Sequence, residues 1–280
     1  MNWVKLMFNR IIWLTIAMMA IVSCESSSDP EERKWRLVWQ DEFNGNAGES
    51  PDSAKWDYDI GDGTLYGLPP GWGNGQLEYD TDRPENVSMD GIGNLAITTR
   101  KESYMGRSYT SARIVTRGKF EQIYGRFEAS IKLPWGQGIW PAFWLLGADF
   151  AQIGWPECGE IDIMEYRGQE TSTIHGTVHG PGYSAANGVT DRYDLVNDRF
   201  DLGFHEFAVE WGADFIDFFV DDELYNTITP DDVSGDWVFD HPFYIIINIA
   251  VGGGYVGAPN ASTVFPQTML VDYVRVYEEK

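Results

Sequence analysis

The segment EIDIME holds three acidic side chains, Glu160, Asp162 and Glu165, separated by apolar residues. In a β-strand, alternate side chains point to opposite faces, so Glu160 and Asp162 share one face. Glu165 stands five positions after Glu160 and would point to the other face of a regular strand. A β-bulge at Ile163 or Met164 would return Glu165 to the acidic face, and we predict Met164 as the extra residue.

Like charges this close repel one another and raise each other's pKa values, so the cluster calls for a chemical reason. Glycoside hydrolysis supplies one, because one carboxylate attacks the anomeric carbon while a second, protonated carboxyl donates to the leaving oxygen. Retaining enzymes place these two groups ~5–5.5 Å apart. Three other interpretations fit the acids alone: an oxygen-ligand metal site, a solvated acidic face, and a carbohydrate-binding module without catalysis.

The elements that would position these acids are short and strand-like. Alternating or continuously apolar patterns occur at residues 94–99, 125–132, 143–146, 244–251 and 271–277, and a hairpin pattern spans 215–228. No long amphipathic helix with caps interrupts them. Many short strands separated by turns predict an all-β fold, a β-sandwich or jelly roll.

Composition narrows the partners of this 280-residue chain. It contains 20 Lys and Arg against 43 Asp and Glu, a formal net charge of -23. Such a surface repels nucleic acid and anionic membranes. Aromatic residues make up 15% of the chain, with twelve Trp, and indole rings stack well on the apolar faces of sugars. A neutral polysaccharide is therefore the favoured ligand, and we expect a monomer.

The N-terminal segment predicts export. Lys5 and Arg10 precede an apolar run over residues 11–22, which ends in Ser23-Cys24 and resembles a lipoprotein signal. We predict a signal peptide over residues 1–23, a lipidated Cys24 that opens a polar tether over 24–34, and a catalytic domain over 35–280. The protein would then be a cell-envelope lipoprotein, in the outer membrane, or a secreted protein. Cys158 is predicted to be a small buried residue.

The acidic segment resembles the E-I-D-[IV]-x-E signature of glycoside hydrolase family 16. Supporting segments of the same family pattern are WQDEF at 39–43, GIWPAFW at 138–144, TVHG at 177–180, DHPF at 240–243, NIAVGG at 248–253 and VDYVRV at 271–276. The resemblance covers roughly residues 39–277, and its bulged spacing is similar to the laminarinase-like branch. It implies a jelly roll with a concave substrate cleft and a retaining endo-hydrolase. Glu160 would be the nucleophile, Glu165 the acid/base, and Asp162 would lie between them.

The resemblance also implies substrate contacts and one metal site. The implied substrate-binding residues are Asn74, Arg113, Trp140, Trp144, His179 and Asn248. Trp140 and Trp144 are four positions apart and would share a strand face. A structural Ca²⁺ would be held by the backbone carbonyls of Glu42 and Gly93 and by the carboxylate of Asp272. Catalysis itself would need no cofactor. Tyr255 departs from the pattern, since many members carry Trp there.

The sequence thus predicts an endo-1,3-β-glucanase of the laminarinase type, with mixed-linkage β-1,3-1,4-glucan as a further candidate substrate. One alternative is a hydrolase of an algal galactan, of the agarase, porphyranase or carrageenase type. A sulfated galactan would call for basic cleft residues, whereas this chain is strongly acidic. The other alternative is a non-catalytic surface glycan-binding lipoprotein, which would have no need of both Glu160 and Glu165.

Overall fold

A computed structural model describes residues 33–280, so the predicted signal peptide, Cys24 and nearly all of the tether lie outside the described residues. The strands of the described part are β1 (Trp35–Asp41), β2 (Asp57–Tyr58), β3 (Glu78–Asp80), β4 (Val87–Met89), β5 (Leu95–Thr99), β6 (Tyr109–Ser111), β7 (Arg113–Val115), β8 (Gly125–Lys132), β9 (Ile139–Gly147), β10 (Glu160–Tyr166), β11 (Thr173–His179), β12 (Val189–Asp194), β13 (His205–Trp211), β14 (Ile216–Val220), β15 (Glu223–Ile228), β16 (Phe243–Val251) and β17 (Gln267–Glu279). Helical structure there is limited to α1 (Phe150–Ile153) and two 3₁₀ turns, Thr64–Tyr66 and Ala185–Asn187. No helix within residues 33–280 has the length and apolar character needed to cross a membrane.

Two antiparallel sheets form the body of the fold. One has eight strands in the order β15-β14-β13-β8-β17-β5-β4, with β1 also paired to β17. The other has seven strands in the order β12-β11-β10-β9-β16-β7-β2, and β3 and β6 form a short parallel pair. Each sheet combines consecutive strands, β13 to β15 in one and β9 to β12 in the other, with neighbours from distant parts of the chain, such as β8 beside β17 and β9 beside β16, as in a jelly roll. The predicted all-β sandwich is confirmed.

The central strands of the seven-stranded sheet are covered on both faces. Alternate residues of β16, such as Ile245 and Ile247, pack into the main core between the sheets. The residues that alternate with them, Tyr244 and Ile246, form a smaller apolar cluster with Cys158 on the opposite face. All nine residues of β16 are therefore buried, which explains why its sequence is apolar apart from Asn248. Cys158 is buried and free, as predicted.

Candidate active site

Strand β10 carries the three acids and contains the predicted bulge. Against β9, Asp162 pairs with Trp144 and Met164 pairs with Phe143, so one residue of β10 has no partner. That residue is Ile163, and the prediction that Met164 would be the extra residue was wrong in this ladder. Both Ile163 and Met164 have buried side chains in the main core. Two consecutive apolar residues thus point inward, because the bulge places two positions opposite one.

The bulge returns Glu165 to the face that holds the other two acids. Against β11, Glu160 pairs with His179, whereas Glu165 pairs with His175. The side chain of Glu165 accepts a hydrogen bond from the Trp140 indole N–H at 3.0 Å. Glu160 and Glu165 are both half-buried rather than enclosed in the core. The sequence-based expectation of a shared acidic face is therefore met by the described geometry.

His179 lies over the acids from the neighbouring strand. Its Nε2 atom is 3.2 Å from Oδ2 of Asp162 and 3.9 Å from Oε1 of Glu160. Gly188 permits this placement, because a Cβ atom there would come within 2.3 Å of the imidazole ring. An imidazole in this position can balance negative charge on the carboxyl pair. Strand β11 thereby contributes a side chain to the acidic cluster of β10.

Burial raises the pKa of Glu160 to about 8, and the negative charge of Asp162 adds to the effect. Positive charge on His179 and Arg113 acts in the opposite direction and favours the ionised form. Burial also raises the pKa of Asp162 to about 7, while its hydrogen bond with Glu160 favours ionised Asp162. Each of the two acids shifts the pKa of the other, so ionisation of one depends on the state of the other.

Glu165 is also under pressure to stay protonated. Burial raises its pKa well above the ordinary range, and the charges of Asp162 and Glu160 raise it further. Glu165 therefore faces two neighbouring carboxylates and Glu160 faces one; positive charge on His179 opposes the shift of both, and that of Arg113 opposes the shift of Glu160. Arg113 thus favours Glu160 as the ionised member and the second neighbouring carboxylate favours Glu165 as the protonated one, which are the two roles that glycoside hydrolysis requires.

A metal-site interpretation of the acids fits less well. Among the described residues, Glu160, Asp162 and His179 bring one ligand atom each within 4.8 Å of one another. Calcium takes six to eight oxygen ligands, whereas this group offers two carboxyl groups and an imidazole nitrogen in a largely buried setting. The donor set suits proton transfer and charge stabilisation better than calcium binding.

The two predicted tryptophans both lie on the cleft face, each half-buried. Trp144 donates its indole N–H to the Asn248 side-chain oxygen at 2.8 Å. The guanidinium of Arg113 lies 4.7 Å from the Trp144 ring and 4.4 Å from the ring of Trp72. Arg113 is buried, so it holds Trp144 in place from within the site instead of standing free at the rim.

Asn74 lies on the rim of the same region. It is exposed, and its backbone carbonyl accepts the N–H of Gly254 at 3.0 Å. The preceding residue, Gly253, has a positive φ of 94°, and a Cβ atom there would lie 3.0 Å from the Asn74 carbonyl oxygen and 3.6 Å from the Trp140 ring. The loop of Asn74 and the loop of Gly253 therefore pack together beside Trp140.

Sequence reasoning did not assign a role to Tyr255 and Arg167. The Tyr255 ring lies 4.9 Å from that of Trp140, and the Arg167 guanidinium lies 4.2 Å from the Tyr255 ring. Burial raises the pKa of Tyr255, and the nearby charge of Glu165 contributes to the shift. An aromatic residue in a glycine-rich turn, GGGYVG, was the available signal. These contacts place Tyr255 in the wall around the acid/base candidate.

Trp155 was also missed. Its side chain remains 39% exposed, and its ring lies 6.1 Å from that of His179. It precedes the acidic strand by a few residues in the segment WPECG. An exposed indole beside the catalytic face adds a further surface on which a sugar ring can stack.

The bond between Trp140 and Glu165 predicts a change in pH dependence. Burial dominates the raised pKa of Glu165, and the indole N–H opposes it by stabilising the carboxylate. Trp140→Phe keeps a ring but removes the donor, so the pKa of Glu165 rises and the alkaline limb of kcat/KM moves to higher pH. Trp144→Phe is the matched control, because that indole donates to Asn248 and not to an acid. Equal displacement of the limb in both variants would contradict this assignment.

The three residues of the implied calcium site also come together. Strand β17 pairs with β8 along one edge. Along its other edge it pairs first with β5, as far as Val271, and then with β1, beginning at Val274. Asp272 lies in the gap between β5 and β1, exposed and at a register shift of β17. Glu42 directly follows β1, and Gly93 lies two residues before β5.

The available oxygens at this gap fit the implied ligand set. The Glu42 carboxylate accepts two hydrogen bonds from Arg275, at 2.8 and 2.9 Å. The backbone carbonyl of Glu42 is then the oxygen that would be available as a metal ligand. Gly93 has a positive φ of 100°, a conformation that favours glycine. The Asp272 carboxylate makes only a long contact with Ser130 among the described hydrogen bonds, at 3.5 Å. Carbonyl and carboxylate oxygens are the ligands that Ca²⁺ prefers.

Comparison with known proteins agrees with this geometry. The family model described as "Glycosyl hydrolases family 16" matches residues 73–275. The chain is 41% identical to the "Beta-glucanase" of Rhodothermus marinus, over 98% of this chain and 96% of that protein. The crystal structure of the laminarinase catalytic domain from Thermotoga maritima superposes with a TM-score of 0.83 at 46% identity, covering 88% of this chain and 99% of the other. The endo-β-1,3-glucanase from Pyrococcus furiosus gives 0.84 at 47% identity, covering 89% and 97%.

Proposed function

The chain is a member of glycosyl hydrolase family 16, and we propose that it cleaves β-1,3-glucan internally and with retention of anomeric configuration. It is a glycoside hydrolase of the laminarinase-like, endo-1,3-β-glucanase branch. The observation that supports the residue assignment is the bulge in β10, which returns Glu165 to the face that Glu160 and Asp162 occupy. Mixed-linkage β-1,3-1,4-glucan is the further candidate substrate.

The first step is glycosylation of the enzyme. The ionised Glu160 carboxylate attacks the anomeric carbon and forms a new C–O bond as the glycosidic C–O bond breaks. Glu165 gives its proton to the departing oxygen, so the leaving sugar departs as an alcohol. Asp162, in contact with the His179 imidazole at 3.2 Å, remains beside Glu160 as that residue changes from a carboxylate to a neutral ester.

The second step releases the product. Glu165, now ionised, removes a proton from a water molecule, which attacks the anomeric carbon and displaces Glu160. Two inversions at the same carbon give overall retention. The Trp140 indole N–H stabilises ionised Glu165 through this stage. Trp140 and Trp144 supply rings for stacking of the glucan, with Asn248, Arg113 and the Asn74 loop beside them.

The substrate is tested by reducing-sugar release from laminarin, barley mixed-linkage glucan, agarose and carrageenan, each beside a Glu160→Gln control. We expect release from laminarin that the control lacks. Release from a galactan alone would assign the enzyme to the alternative galactan branch. If none of the four polymers releases reducing sugar, the proposed substrate is wrong and the glycan-binding alternative is favoured.

We also propose that Glu42, Gly93 and Asp272 hold one structural Ca²⁺ at the junction of β1, β5 and β17. The ion would link β1 and β5, which lie in the first hundred residues, to β17 near residue 272. A ligand that binds only the folded state stabilises it by about 2.7 kcal/mol at 100 times its Kd.

Calcium should therefore raise the Tm of the protein by several degrees over an EGTA-treated sample, and Asp272→Asn should remove most of that difference. Asp231→Asn, an exposed acid on a distant loop, serves as the control. An equal calcium response in Asp272→Asn would contradict the site.

Export as a lipid-anchored monomer remains a proposal that rests on residues outside the described part of the chain. Lys5, Arg10 and the apolar run over 11–22 support a signal peptide, and Cys24 is the lipidation candidate. Cys24→Ser should shift the protein from the membrane fraction to the soluble fraction of its host. Equal membrane association of both forms would count against lipidation, and size-exclusion mass measurement tests the monomer.

A further inference from the structure

A surface pocket of about 380 Å³ lies outside the catalytic cluster, where β9 begins and β10 ends. Its volume falls within the ~300–1,000 Å³ range of small-ligand sites. The lining comes from three loops, at residues 135–137, 168–171 and 260–262, with Arg199 beside them. None of the three catalytic carboxyl groups contributes to it, so the pocket requires an explanation of its own.

Trp135 provides an exposed aromatic surface in this pocket. Trp135 is 43% exposed, and among the described tryptophans only Trp155, at 39%, is comparably open to solvent. The backbone around it is fixed, because the N–H of Trp135 donates to Gln267 at 3.1 Å and that of Gly136 donates to Gly168 at 2.8 Å. An indole held on a rigid loop at the surface loses little conformational freedom when a flat ligand stacks on it.

The polar side chains of the pocket are held in place as well. The amides of Gln137 and Gln169 both donate to the backbone carbonyl of Val256, at 2.6 and 3.2 Å. Arg199 makes two bonds to the Asp201 carboxylate, at 2.7 and 2.8 Å, so its charge is paired. The pocket therefore combines one flat apolar ring with ordered amide groups and no unpaired cation of its own lining.

We propose that this pocket is an auxiliary site that binds a glucosyl segment of the β-glucan substrate outside the catalytic cleft. A pyranose ring presents an apolar C–H face to an indole and hydroxyl groups to amides. An anionic polymer is disfavoured, because the chain carries a formal net charge of -23. This inference rests on the proposed function, since it takes the polymer cut in the cleft as the ligand of both sites.

The pocket and the active site share a wall. Val256, whose carbonyl holds the two pocket amides, directly follows Tyr255, which packs on Trp140. Gln169 follows two residues after Arg167, whose guanidinium lies over the Tyr255 ring. A polymer held at Trp135 is thereby kept close to the cleft, and its effective concentration there rises. A short oligosaccharide that reaches only one site gains nothing from this arrangement.

The proposal is tested by glucan retention in native gels that contain laminarin, using the Glu160→Gln protein so that the polymer stays intact. Adding Trp135→Ala should weaken retention about tenfold, the loss of one stacking contact. Trp135→Phe keeps a flat ring and should preserve most of the retention. Leu224→Ala, on strand β15 of the other sheet and 51% exposed, is the control for loss of an exposed apolar side chain. A Tm measurement verifies that each variant folds.

Titration with a short laminari-oligosaccharide gives the second measurement. Two binding sites per Glu160→Gln molecule, reduced to one by Trp135→Ala, would support the auxiliary site. A single site with Trp135 intact, unchanged retention in Trp135→Ala, or equal losses in the Phe and Ala variants would overturn it while leaving binding in the cleft. Absence of any glucan binding in every variant would overturn the proposed substrate instead, so the two failures are distinguishable.

Discussion

Glu160→Gln is expected to reduce turnover of β-1,3-glucan by about 10⁴-fold or more, because the covalent route through a glycosyl-enzyme is lost with its nucleophile. The amide keeps the shape of the side chain, and it removes one member of the buried acid pair. Substrate binding should therefore be preserved while kcat falls. Initial rates on laminarin, together with oligosaccharide binding by the variant, measure the two effects separately.

Glu157→Gln is the matched control for this substitution. Glu157 lies three residues before Glu160 in the chain, but its side chain is exposed outside the strand. We expect its turnover to remain within about twofold of the unmodified protein, since surface substitutions of this kind have small effects. A residual rate in Glu160→Gln above a few per cent of the unmodified rate would show that another group is the nucleophile.

Glu165→Ala is expected to have an effect that depends on the leaving group. On laminarin the loss of general acid catalysis should cost about 10²–10⁴-fold. A glucosyl derivative with an activated aryl leaving group needs no proton, so its glycosylation step should be nearly unaffected. The alkaline limb of the pH profile should also disappear, because Glu165 must be protonated to donate and burial together with its two neighbouring carboxylates raises its pKa.

Azide separates the two roles by stereochemistry. In Glu165→Ala, a small anion can attack the glycosyl-enzyme without a base and should yield a β-glycosyl azide. In Glu160→Ala, azide fills the space left by the nucleophile and attacks once, which gives an α-glycosyl azide. Identification of the products by NMR assigns each residue. The reverse pair of products would exchange the roles of Glu160 and Glu165.

The sequence alone was sufficient for the local structure and for the chemical type of the site. Predicted strands at 125–132 and 271–277 coincide with β8 and lie within β17, and the hairpin at 215–228 corresponds to β14 and β15. This succeeded because alternation of side chains is a local property of an extended backbone. The acids could also be found locally, since three carboxyl groups between apolar residues are costly without a chemical use.

The bulge illustrates the boundary between the two kinds of information. Its existence followed from the odd spacing of Glu160 and Glu165, which a regular strand could not place on one face. The identity of the unpaired residue did not follow from the sequence. Met164 pairs with Phe143 on β9, so Ile163 is the residue without a partner in that ladder. Register is a property of two strands and cannot be read from one.

Only the tertiary structure decided which distant residues complete the site. Arg113 is buried between Trp72 and Trp144, Tyr255 packs on Trp140, and Trp135 opens a second pocket. The raised pKa values of Glu160 and Glu165 also depend on burial and on charges from strands far apart in the chain. These features arise from packing between segments that are far apart in the sequence. The local pattern of one segment carries no information about which other segment it will contact. The sequence of this protein determined which groups can react, and the fold determined how they are charged and what surrounds them.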